Sequence, residues 1–232
     1  MPNLPEEASH IYALMSEVEE QYSEDAATLS RLLEETERFV RAYPDSLDAH
    51  YLHGLALYSL WCHHSRDSRY VREPLDEMLH ILQIEPSAQF ALWFAIVFSE
   101  HLGDDGAVVA YFARLNRKAF IDEHKDWWYL LAWEYALCSH LRLGRRSVFE
   151  EGLRCLVQEF VKVADDVEAL LARPYRLVAL YQDLRAGSGG PDSNVGQREL
   201  VALLEEQLAL LVPGGWVKAE ELGDTPPLSV CK

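Results

Sequence analysis

Ala42-Tyr43-Pro44-Asp45 and Ile84-Glu85-Pro86-Ser87 are two stretches of like pattern around which the rest of the chain can be laid out. Each closes a segment with helical patterning, and each is followed by a second, Ala-rich segment that carries aromatics. Proline has no amide hydrogen and pushes the residue before it out of the helical region, so each stretch stops one helix and lets another begin. The prolines Pro44 and Pro86 stand 42 residues apart, which reads as a repeated helix-turn-helix unit.

Outward from these turns the apolar spacing stays helical. Ile11, Leu14, Met15, Val18 and Tyr22 line one face of a first predicted helix, and Leu29, Leu32, Leu33, Val40 and Tyr43 line a second after the acidic break Ser23-Glu24-Asp25. The second is expected to fold back antiparallel on the first. A third helix is predicted from about Leu47 to Trp61, and Cys62-His63-His64-Ser65-Arg66-Asp67-Ser68-Arg69 then breaks the periodicity. Leu75, Met78, Leu79 and Leu82 restore it up to Pro86. The longest apolar run, Phe90 to Phe98, falls well short of the roughly 18 residues a membrane span needs.

Gly54-Leu55-Ala56-Leu57-Tyr58, lying between the two proline stretches, completes a pattern of small residue, aromatic and post-helical proline that resembles the tetratricopeptide (TPR) repeat. The resemblance spans roughly residues 28–163. It includes two further units, Leu92-Trp93 with Leu102-Gly103-Asp104 and Trp133 with Leu143-Gly144-Arg145, in which the glycine is expected to supply a left-handed turn. The family period is about 34, and the extra residues here fall in the His63–Arg72 segment. The small residue expected in each second helix is replaced by Pro74 in one unit and is Gly152 in another. The resemblance implies an all-α, TPR-like α-solenoid of antiparallel helix pairs. It also implies that the first helix of each unit lines a concave groove, with Asp48, Tyr51, Tyr58, Trp93, Glu100 and Glu134 beside a bound peptide or protein.

Beyond this region Val167, Leu170 and Leu171 suggest a short helix, and Leu177, Leu180, Tyr181 and Leu184 continue after Pro174. Gly187-Ser188-Gly189-Gly190-Pro191 reads as a flexible connector, and Leu200, Leu204, Leu208 and Leu211 as a capping helix closed by Pro213-Gly214-Gly215. The expected organisation is a helical body over 1–186, a linker over 187–197, and a capping helix and tail over 198–232, with Trp216 and Val217 able to dock on the body.

Charge narrows the choice of partner. The 232 residues carry a net charge of −17, of which residues 1–106, with 20 acids and 6 bases, hold −14. Such a half opposes nucleic acid and anionic lipid and attracts a basic protein, although acidity also serves solubility alone. Met1-Pro2-Asn3-Leu4-Pro5-Glu6-Glu7 lacks the basic flank and apolar core of a secretory signal, and Cys62, Cys138, Cys155 and Cys231 form no C-x-x-C pair. A cytoplasmic protein with reduced thiols, three of them small core residues, is the simplest reading.

No nucleophile elbow, phosphate loop, dinucleotide fingerprint or H-E-x-x-H is present, so no enzyme activity and no cofactor are expected. His50, His53, Cys62, His63 and His64 are the nearest approach to a metal set, and ordinary helix and loop histidines are the favoured reading, so no metal is expected. Asp104-Asp105 and Asp165-Asp166 suit helix starts better than acid-base work. Among Trp127, Trp128, Tyr129, Trp133 and Tyr135, helical spacing turns Trp133 inward with Leu130 and Leu137 and leaves Trp128 and Tyr135 outward. The expected function is a cytosolic, non-enzymatic inhibitor or immunity-type protein that neutralises a basic partner such as a toxin. The alternatives are a repeat-type chaperone or scaffold that holds an extended peptide, and, less favoured, a metal-dependent enzyme using the histidine segment.

Overall fold

The two proline stretches fold into the same turn. Tyr43 N–H bonds the Phe39 carbonyl at 2.9 Å, Ser46 N–H the Tyr43 carbonyl at 3.0 Å and His50 N–H the Ser46 carbonyl at 3.2 Å. Forty-two residues later Glu85 bonds Ile81 at 2.8 Å, Ala88 bonds Glu85 at 3.1 Å and Leu92 bonds Ala88 at 3.0 Å. Burial follows the same offset: Leu29, Phe39, Ala49, Leu52 and Ala56 are buried, and so are Val71, Ile81, Ala91, Phe94 and Phe98.

The structure, a computed structural model, describes residues 9–11, 13, 26–63, 69–122, 125–163, 173–188 and 195–222. All regular structure among them is α-helical, with no strand. The chain divides into two compact units, Met1–Asp104 and Asp105–Lys232. Residues of Asp105–Lys232 build a core of their own that includes the C-terminal helices.

The first unit contains α1 (Ala26–Ala42), α2 (Leu47–His63), α3 (Arg69–Ile84) and α4 (Gln89–His101), each packed on the next. In α1 the buried residues Leu29, Leu32, Thr36 and Phe39 recur at helical spacing, and the Thr36 hydroxyl is satisfied by the Leu32 and Leu33 carbonyls, both at 3.0 Å. Gly54 of α2 allows α3 to come close, since a Cβ there would lie 2.6 Å from Met78 Cε and 3.4 Å from Glu77 Cβ. This is the small-residue contact the repeat resemblance assigns to Gly54. Helix α3 starts at Arg69, so part of the expected His63–Arg72 loop is helical, and Pro74 is accommodated inside the helix near its start. Every residue of α4 from Ala91 to Ser99 is buried except Trp93. Ile11 joins the core of this unit, while Leu14, Met15, Val18 and Tyr22 lie outside the described residues.

The second unit contains α5 (Asp105–Phe112), α6 (Arg117–Asp122), α7 (Asp126–Arg142), α8 (Arg146–Lys162), α9 (Tyr175–Ser188), α10 (Val195–Ala209) and the short α11 (Ala219–Leu222). Helices α5, α6, α8 and α9 pack on α7, and α10 packs on α8 and α9. One core joins Leu130 and Leu137 of α7, Phe149, Leu153, Leu156 and Phe160 of α8, Leu177 and Tyr181 of α9, and Leu200, Leu204, Leu208 and Leu211. Trp216 and Val217 complete it, each 1% exposed, with Trp216 edge-on to Phe160 at 5.2 Å between ring centres. Burying an aromatic of this size contributes on the order of 2–3 kcal/mol, enough to hold the segment after α10 against the body. Arg173 fastens it further, donating to the Trp216 carbonyl at 3.1 Å and to Glu221 at 2.6 Å.

Gly103 and Gly144, with φ of 73° and 74°, provide the left-handed turns expected of them. After α4 the Gly103 and Asp104 amides bond the Glu100 and Ser99 carbonyls, and after α7 the Gly144 and Arg145 amides bond Leu141 and His140 in the same pattern. Helix α9 runs through Gly187 to Ser188 and α10 begins at Val195, so the helices extend into the expected 187–197 linker from both sides. Residues 189–194, and the helix expected around Val167, Leu170 and Leu171, lie outside the described residues.

Candidate protein-binding face

In the first unit, α2 and α4 meet through a series of aromatic rings. Tyr51 stands edge-on to Phe94 at 5.7 Å between centres, and Tyr58 lies 5.1 Å from Phe98 and 6.3 Å from His101. Contacts that advance together along both helices mean that α2 and α4 run parallel. Trp61 extends the row, 5.8 Å from Tyr58 and 4.7 Å from His101, and Trp93 packs edge-on against Phe94 at 5.0 Å.

Phe94 and Phe98 are buried, whereas Tyr51, Tyr58, Trp61 and Trp93 are partly exposed. The outer rings are thus held in fixed orientation by inner ones, and a rigid aromatic loses little side-chain freedom on burial. Asp48 occupies the first turn of α2, where the helix dipole favours a carboxylate. Glu100 sits in the last turn of α4. Both are partly exposed.

Five of the six residues expected at the groove therefore lie on α2 and α4 of one unit. Glu134 does not join them. It lies in the second unit on α7, is 1% exposed, and its carboxylate accepts the Leu177 N–H at 2.8 Å. The sequence spacing did not single out Trp61 and His101, which belong to the row because parallel packing of α2 and α4 brings them to Tyr58.

The other face of α2 carries a polar cluster. His50 donates from Nε2 to the Pro44 carbonyl at 2.7 Å, and its Nδ1 lies 2.5 Å from Glu77 Oε2 on α3. His53 contacts Thr36 Oγ1 through Nδ1 at 3.1 Å and Glu77 Oε1 through Nε2 at 3.8 Å. The His80 ring lies 4.1 Å from that of His50, and its Nε2 is buried without a hydrogen-bond partner. Burial holds the His53 imidazole below its ordinary value, against the attraction of Glu77, Glu37 and Glu73. His50 and His53 thus face α3, and no group of three or more His, Cys, Asp or Glu among the described residues is placed to hold a metal ion. His63 ends α2, and His64 lies outside the described residues.

In the second unit the aromatic segment is engaged by its own cations. Lys125 lies over Trp128 at 5.6 Å, Arg176 over Tyr135 at 5.8 Å and Arg117 over Tyr129 at 5.8 Å. Cys138 is buried and Cys155 exposed, so Cys155 is not a core residue. No protein family, curated protein or solved structure matches this chain.

Proposed function

We propose that the chain is a non-enzymatic binding protein of the inhibitor or immunity type, a TPR-like helical repeat that neutralises a basic protein partner in the cytoplasm. The observation that carries this reading is the pair of parallel helices α2 and α4, with Tyr51, Tyr58 and Trp93 partly exposed on a packed aromatic base. Partly exposed, pre-oriented aromatics concentrate binding energy at interfaces.

Charge supplies the direction of the partner. Residues 1–104, the whole first unit, carry 19 acids and 6 bases, a net −13, while the second unit carries −4. Asp48 and Glu100 steer, Tyr51, Tyr58 and Trp93 anchor, and the partner is a protein with a basic face. Glu134, buried in the other unit, has no part in the contact.

The test is a comparison of what the intact chain and two variants retain from native cytoplasm, with the bound protein identified by mass spectrometry. The reading expects a basic protein in one-to-one complex, weakened by Tyr51→Ala with Trp93→Ala and by Asp48→Asn with Glu100→Gln. An acidic partner, or one retained equally by both variants, would overturn it.

A further inference from the structure

We propose that Arg173 and α9 form the wall of a peptide groove that the chain fills in cis with its own Trp216–Leu222 segment, and that the groove exchanges this strap for a partner segment carrying a tryptophan five residues ahead of a carboxylate. The groove belongs to the second unit, and the proposal stands apart from the α2 and α4 face. Its donors reach main-chain atoms. Arg173 Nε donates to the Trp216 carbonyl at 3.1 Å, Gln182 Nε2 to the Glu221 carbonyl at 3.3 Å, and Arg185 Nη1 and the Tyr181 hydroxyl to the Leu222 carbonyl at 2.7 and 3.3 Å. The last carbonyls of a helix have no partner within it, so α9 supplies what the short α11 lacks. Bonds to the main chain hold a bound segment whatever its side chains, and pockets then set which segment fits.

The strap itself shows which chemistry fits. At one end Trp216 is buried against Phe160, with Val217 buried beside it in the same core. At the other end the Glu221 carboxylate takes Arg173 Nη2 at 2.6 Å and the Lys218 N–H at 2.7 Å. Lys218, Ala219 and Glu220 between them are exposed, so the segment is read at its two ends.

Two features make the strap exchangeable. It joins α10 through Pro213-Gly214-Gly215, where Pro213 and Gly215 are exposed and Gly215 has a φ of 75°, so a hinge of two glycines lies directly before Trp216. The Trp216 Nε1–H is buried with no hydrogen-bond partner among the described residues. Docking therefore strips that group of water without replacing the bond, which offsets part of what burial of the ring contributes. A groove that is open for only a fraction of the time binds an added peptide with its affinity reduced by that fraction. Any change that loosens the strap and leaves the groove intact must then tighten binding in trans.

Fluorescence anisotropy of a labelled peptide spanning residues 213–222, titrated with the full-length chain, tests the exchange. Glu221→Gln in the chain weakens the strap alone and is expected to tighten peptide binding about threefold to tenfold over the wild type, and Trp216→Ala in the chain to tighten it further. The same peptide carrying Trp216→Ala should lose about tenfold or more of its affinity. Circular dichroism reports the folding of each variant, and Glu221→Gln, which leaves the core untouched, keeps the test decisive if Trp216→Ala does not fold. Peptide binding that Glu221→Gln does not tighten, or that ignores the tryptophan of the peptide, would overturn the proposal. A wild-type mass that doubles with concentration, and does so only while Trp216 is present, would put the strap of a second copy in the groove and overturn the assignment to a partner.

Discussion

The Glu134 carboxylate on α7 accepts the backbone N–H of Leu177, the third residue of α9, at 2.8 Å. Amides in a helix's first turn have no partner within the helix, and Pro174, just before α9, offers no side-chain acceptor. A carboxylate forty-three residues away takes the place of a local cap, and its charge also complements the positive end of the helix dipole. Glu134→Ala should therefore destabilise the second unit by about 2–3 kcal/mol, and Glu134→Gln, which keeps an acceptor, by about half as much. Chemical denaturation of both variants checks the order; equal stability of Glu134→Ala and the wild type would remove the capping role.

Gly144 and Gly54 are required for different reasons, and substitution separates them. A Cβ on Gly144 meets nothing within 4 Å, yet φ is 74°. Gly144→Ala is expected to cost about 1–2 kcal/mol from backbone strain alone, with Gly144→Asn milder. At Gly54 the backbone is helical and the obstacle is Met78. Gly54→Ala should be tolerated within about 1 kcal/mol because the Met78 tip can turn away and alanine favours the helix, whereas Gly54→Leu should cost about 1–3 kcal/mol or more by overpacking. Thermal unfolding of the four variants decides.

Arg117 links three helices of the second unit. Its guanidinium binds Asp126 through two bonds of 2.9 Å and Glu159 through a third of 2.9 Å, and both partners raise its affinity for the proton. Arg117→Lys loses the paired geometry and should destabilise by about 1–2 kcal/mol. Glu159 is held below the usual carboxylate value of 4.5 by the Lys162 hydrogen bond first and the Arg117 bond after it. Its contribution is thus present above about pH 4.5 and lost as the pH falls below that value. Denaturation of the wild type and Arg117→Lys across pH 3 to 7 should show the difference between them shrinking at the acidic end.

Binding of a basic partner should separate the two kinds of residue on α2 and α4. Asp48→Asn with Glu100→Gln is expected to lower the association rate and weaken its dependence on salt, since screening lengths fall from about 10 Å at 0.1 M to about 3 Å at 1 M. Tyr51→Ala or Trp93→Ala should instead raise the dissociation rate, by about fivefold to a hundredfold for an anchor worth roughly 1–3 kcal/mol. Surface plasmon resonance with circular dichroism of each variant reads both effects and separates lost binding from lost folding.

The helices and the turns are legible in the order of the residues. Proline at 44 and 86, glycine at 103 and 144, and the 3.6-residue spacing in α1 and α8 act over a few neighbours, so their consequences can be read locally. Local pattern also picked out Gly54 and placed Tyr51, Tyr58 and Trp93 on helices that pack together. Which polar residues face inward depends instead on contacts between helices. Glu134 has the same local appearance as Glu100, but one fills the capping position of a helix forty-three residues away while the other stays partly exposed. The gathering of His50, His53 and His80 around Glu77, and the division of the chain at Asp104, arise likewise from contacts between helices, whose partners are set by how buried surfaces fit and not by the spacing within any one of them.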